Sequence, residues 1–117
     1  MASPDANEEE KIIRDYQNLQ NQMRATATQI DQLKVQKSEL NMAMEEVEKS
    51  SGKIFFTVGG VMVEKGKDDT LKEIAEKLDM INIRSNSLNK QMGELQAKEK
   101  DLRDRITKMS EMHGQQG

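Results

Sequence analysis

Hydrophobic positions in the first half of the chain step by alternating fours and threes: Ile12, Tyr16, Leu19, Met23, Thr26, Ile30, Leu33, Lys37, Leu40, Met44, Val47. The second half repeats the rhythm through Leu71, Ile74, Leu78, Ile81, Ser85, Leu88, Met92, Leu95, Glu99, Leu102, Ile106 and Met109. A period of 3.5 residues sustained this long predicts coiled-coil helices rather than the broad apolar face of a globular helix. Between the two series, at 53–65, the pattern changes to β-rich runs, Lys53-Ile-Phe-Phe-Thr-Val58 and Val61-Met-Val-Glu-Lys65, around Gly59-Gly60. A diglycine between two such runs predicts a tight β-hairpin. The two seams are reflections of each other about those glycines, so the chain is expected to fold back on itself.

Matching Val47 with Leu71, Met44 with Ile74, and so on to Ile12 with Ile106 gives eleven layers without an insertion. Each layer sets an a position against a d position, as an antiparallel pair requires. The predicted fold is mainly α: a rod of two long helices, 8–50 and 70–112, joined by a single β-hairpin and counted as one domain over 1–117. Residues 1–7 read as a polar lead with Ser3-Pro4 as a helix start, and 113–117 as a flexible tail. Gly52 suits the end of the first helix, and Thr70-x-x-Glu73 offers a capping box for the second. Thr26, Lys37, Ser85 and Glu99 are polar seam residues whose facing positions are Met92, Ile81, Leu33 and Leu19, so none is expected to find a polar partner across the seam.

The hairpin register puts Ile54, Phe56, Val58, Val61 and Val63 on one face, and Phe55, Thr57, Met62 and Glu64 on the other. Two partly apolar faces and two unpaired edges make an isolated hairpin marginal and invite strands from other subunits. At the opposite helix ends the apolar stripe widens: Ile13 joins Ile12 and Tyr16, and Met112 joins Ile106 and Met109. A stripe wider than its seam leaves surface for another polypeptide, and methionine adapts to irregular partners.

Composition narrows the possibilities further. With 34% hydrophobic residues, 33% charged, two Phe and one Tyr, the chain cannot build a thick globular core. Lack of cysteine removes disulfides and thiolate chemistry, and no apolar run approaches the roughly 20 residues of a membrane span. The opening residues do not have the chemistry of a signal peptide, and a net charge of −3 disfavours nucleic acid. These features predict a cytoplasmic protein with no membrane partner. His113, the single histidine, reads as a solvated terminal residue, and Asp68-Asp69 as charge at a helix N-terminus. No nucleophile, base or metal cluster is legible, so no enzyme activity and no cofactor are expected.

Helix, one hairpin centred on Val58-Gly59-Gly60-Val61-Met62-Val63, then helix resembles a β-class prefoldin subunit, closer to the archaeal type than to a particular eukaryotic paralogue. Tyr16-Gln-Asn-Leu-Gln20, Leu78-Asp-Met-Ile-Asn-Ile-Arg84 and Leu88-Asn-Lys-Gln91 carry the rest of the likeness. The resemblance implies an ATP-independent holdase, a hexamer of two α-class and four β-class subunits whose hairpins join in an intersubunit β-barrel. It implies partners that are unfolded polypeptides and a group II chaperonin. The barrel role then falls on Ile54, Phe55, Phe56, Val58, Gly59, Gly60, Val61, Met62 and Val63. The client-binding role falls on Ile12, Ile13, Tyr16, Leu102, Ile106, Met109 and Met112. The rival expectation is a coiled-coil scaffold or tether for one folded partner.

Overall fold

The computed structural model describes residues 6–115. The elements in order are helix α1 (Ala6–Lys49), strands β1 (Ile54–Val58) and β2 (Val61–Lys65), and helix α2 (Lys67–Gln115). Ser3-Pro4 lies outside the described residues. Contacts gather into two compact units: a terminal unit, Met1–Gln29 with Leu88–Gly117, and a central unit, Ile30–Ser87.

In the terminal unit the buried residues are Leu19, Thr26, Leu88 and Leu95, all of them at d positions of the heptad. Their a-position neighbours Tyr16, Met23, Met92, Glu99 and Ile106 are only half-buried. A fully buried leucine contributes about 1.5–3 kcal/mol, so the d row carries most of this thin core. Thr26, with 4% of its surface exposed, is the most enclosed side chain of the row. Its hydroxyl donates to the Gln22 carbonyl at 2.9 Å, so the polar atom is satisfied within its own helix. Glu99 does find a partner on the other helix, contrary to the expectation drawn from its facing position. Tyr16, one turn along α1 from Leu19, reaches across to it with a hydroxyl that donates to Glu99 Oε1 at 2.8 Å.

The central unit buries Leu33, Ile74 and Ile81 and leaves Lys37 exposed. Its helix ends are tied by one side chain. The Lys67 ammonium donates to the carbonyls of Glu48 and Ser50, both at 2.9 Å, at the point where α1 runs out of intrahelical donors. The Ser50 N–H is shared between the carbonyls of Glu46 and Val47, each 3.1 Å away.

Helix α2 begins at Lys67, three residues before the expected capping box. The Gly66 carbonyl accepts the Thr70 N–H at 2.9 Å and also the Thr70 hydroxyl at 2.7 Å. Thr70 therefore lies inside the first turn instead of capping it, and Asp68 and Asp69 sit in that turn, where carboxylates complement the helix dipole. The far end of α2 also runs past the expected limit of 112, through Gly114 to Gln115.

In the hairpin, Ile54 pairs with Lys65, Phe55 with Glu64, Phe56 with Val63, Thr57 with Met62, and Val58 with Val61. Gly59 and Gly60 have φ of 56° and 82°. Positive φ at both central residues is the primed turn that matches the strand twist, and glycine adopts it without strain.

Candidate functional site: an exposed hairpin and a half-covered helix pair

The hairpin is rooted in the central unit at its base. Ile54 and Lys65 are half-buried, while the remaining strand residues are exposed. Lys65 forms an ion pair with Glu73 of α2, and its ammonium stands 5.4 Å from the centre of the Phe56 ring. A small cleft of about 180 Å³ beneath this pair is lined by Ile54, Phe56, Thr70 and Ile74. Beyond it the apolar residues stand in solvent: Phe55, Phe56, Val58, Val61, Met62 and Val63 are exposed, Met62 to 69%. Both faces contribute, because Phe56, Val58, Val61 and Val63 alternate with Phe55 and Met62 across the pleat. Such a concentration of apolar surface on two short strands is the signature of a surface awaiting a partner.

The terminal unit treats its apolar residues differently. Ile12, Tyr16, Leu102, Ile106 and Met109 are half-buried, and only Ile13 and Met112 of the expected tip set are exposed, at 45% and 39%. Polar contacts bridge the helices around them. Glu99, which accepts the Tyr16 hydroxyl, also lies 3.7 Å from Arg103. His113 Nε2 approaches Glu9 Oε1 at 2.7 Å, so the imidazole is paired with the first turn of α1 rather than simply solvated. The Tyr16 phenol is raised above its ordinary value of 10.0, chiefly by its hydrogen bond to the Glu99 carboxylate, with partial desolvation and the same negative charge adding to it. An open groove of about 590 Å³ between the helices in this unit touches Leu19 and Leu102, but polar and charged residues such as Asp15, Gln22, Lys98 and Asp101 make most of its wall.

Sequence reasoning did not find these cross-helix polar contacts, nor Lys67 at the end of α1. The heptad pairing names facing residues, whereas a tyrosine or lysine reaches a full turn away. Among the described residues no group of His, Cys, Asp and Glu is placed to hold a metal ion, and no helix is long and apolar enough to cross a membrane.

The sequence profile of the prefoldin subunit family matches residues 10–112. The chain belongs to the prefoldin family. Among its relatives, the prefoldin subunit beta of Methanococcoides burtonii is 30% identical over 101 residues, spanning 85% of this chain and 86% of that protein. The prefoldin subunit beta of Pyrococcus furiosus is 29% identical, spanning 81% and 83%. The crystal structure of the prefoldin beta subunit from Thermococcus strain KS-1 superposes with a TM-score of 0.80 at 23% identity, covering 92% of this chain and 96% of the other. Two long helices around one two-stranded hairpin are thus the prefoldin β fold, and prefoldin β subunits function in complexes of several subunits. Within that fold, this prefoldin chain presents its apolar hairpin without cover and holds its terminal unit together with polar clasps.

Proposed function

We propose that this prefoldin subunit is part of a cytoplasmic, ATP-independent holdase assembled from two α-class and four β-class subunits. Its hairpin, from Ile54 to Val63, supplies strands to an intersubunit β-barrel. Residues Ile12, Ile13, Tyr16, Leu102, Ile106, Met109 and Met112 capture non-native polypeptide, prevent its aggregation and pass it to a group II chaperonin. No bond in the client is made or broken.

The observation that carries the reading is the exposure of six apolar residues on both faces of one hairpin. Strand addition would satisfy the free edges and remove that surface from water together, at about 25 cal/mol per Å² of apolar area buried. The test is co-expression with an α-class subunit, followed by light scattering of several unrelated denatured proteins diluted with and without the purified assembly. Protection of all of them is expected, with loss of protection in Ile13→Ser/Met112→Ser. Protection of none, or of one folded partner alone, would instead favour a scaffold. Full protection by the double variant would remove the capture role from the helix tips.

A further inference from the structure

A neighbouring strand can be added at either edge of the hairpin, but edge pairing alone does not decide which face of the joined sheet is covered. Successive residues of a strand take opposite faces. In the observed register Ile54, Phe56, Val58, Val61 and Val63 share one face with Lys65, and Phe55, Thr57, Met62 and Glu64 share the other. The first face is apolar apart from its lysine. The second interleaves Phe55 and Met62 with a hydroxyl and a carboxylate, and Glu64 lies 4.0 Å from Lys53 with both side chains mostly in solvent.

The base of the first face is fastened to α2. Lys65 forms its ion pair with Glu73, and the same ammonium stands over the Phe56 ring within the range of a cation–π contact. Glu73 is held from its own helix as well, by Lys77 at 3.6 Å. Across the cleft of about 180 Å³, Ile54, Phe56 and Lys65 meet Thr70, Glu73 and Ile74 of α2. Ile74 is one of the buried seam residues, so this strand face continues the coiled-coil core outward. Exposure follows the clamp: Phe56 and Val63, the cross-strand pair next to it, are the least exposed of the six apolar hairpin residues, at 41% and 38%.

We propose that Lys65 and Glu73 are positioning residues for assembly. They turn the face of Phe56, Val58, Val61 and Val63 toward the interior of the sheet that the hairpins build, and leave Phe55 and Met62 on its outer surface. The inference rests on the joined-hairpin reading given above and adds to it the side that neighbours cover. An antiparallel sheet packed on one side buries its apolar face and leaves its mixed face to water. Covering the opposite face would take Thr57 and Glu64 out of water without partners for them. It would leave Val58, Val61 and Val63 in solvent. Because the ion pair holds the apolar face toward α2 within the single chain, a neighbour meets a hairpin already oriented, and less freedom is lost on joining.

The absence of cysteine from the chain makes the test direct. Phe55→Cys and Met62→Cys probe one face, Val58→Cys and Val63→Cys the other. Each variant is assembled with an α-class subunit and treated with N-ethylmaleimide, and modification of this chain is followed by mass spectrometry against the same chain unfolded in urea. Cysteines at 58 and 63 should react roughly tenfold or more slowly in the assembly, and those at 55 and 62 at close to the unfolded rate. Should one cysteine of a face prevent assembly, the other carries the same reading. Glu73→Gln or Lys65→Met should shrink the contrast between positions 62 and 63 several-fold with helical content unchanged by circular dichroism. Lys65→Arg, which keeps the charge, should preserve it. Loss of assembly in both neutral variants, with Lys65→Arg still assembling, would count on the same side.

Equal protection of the two faces, or stronger protection at 55 and 62, would overturn the face assignment while leaving the joined hairpins intact. A contrast that survives both neutral variants, or is lost in Lys65→Arg as well, would overturn the role of the ion pair. Failure of the parent chain to assemble at all would sink the joined-hairpin reading itself, and this inference with it.

Discussion

The hairpin and the terminal helix ends are both apolar in the sequence, yet the structure handles them in opposite ways. Around the hairpin, exposure is nearly complete: six apolar side chains stand on two strands of five residues each, anchored at their base through Ile54 and Lys65. In the terminal unit most of the apolar stripe is half-buried, and Tyr16, Glu99, Glu9 and His113 bridge the helices across it. The difference follows from the kind of partner each can take. Strands offer directional backbone hydrogen bonds, so an exposed hairpin specifies a partner by register as well as by burial. A helix end with satisfied backbone offers only side chains, so its selectivity is loose, and keeping much of its stripe covered limits unwanted association.

The largest effect that would break this contrast comes from the hairpin. Val58→Asp/Val61→Asp is expected to abolish assembly, read by native mass spectrometry as a shift to single chains. Helical content should stay near that of the parent, because neither residue touches the coiled-coil seam. A retained oligomer would mean that the hairpin is not the joining surface.

In the terminal unit, Leu95→Ala removes a buried d residue. It is expected to destabilise the fold by about 2–3 kcal/mol in thermal or urea melts, near the low end for leucine truncation because a two-helix core collapses readily around the gap. No change in the melt would remove the distinction between a sealed terminal unit and an open hairpin.

A smaller gain is expected from Gly93→Ala. A Cβ there meets nothing within 4 Å. The substitution should stabilise α2 by about 1 kcal/mol through helix propensity alone.

The smallest effect sharpens the role of the polar clasp. Tyr16 has a folded phenol value above its unfolded 10.0, so its contribution is fully present below pH 10 and lost as pH rises through the folded value. The difference in melting temperature between the parent and Tyr16→Phe should therefore shrink above pH 10, and a constant difference would exclude the hydrogen bond as its source.

Much of the fold was legible because both repeating patterns are long and distinct. The heptad series runs through most of α1 and α2, and Gly59-Gly60 sets the register that pairs Val58 with Val61. The helix boundary at Lys67 was not legible, since a threonine and a glutamate three apart look like a capping box whether or not the helix has already begun. Tyr16–Glu99 was missed because facing positions ignore the reach of long side chains.

The bond from Lys67 to the carbonyls of Glu48 and Ser50 has a mechanical consequence. It closes the doorway through which the chain enters and leaves the two strands, using atoms that belong to neither. Opening the strand pair would therefore leave the helix ends clasped, and the helices would not have to unzip from that end. The lysine works as a latch on the frame, set apart from the strands that stand beyond it.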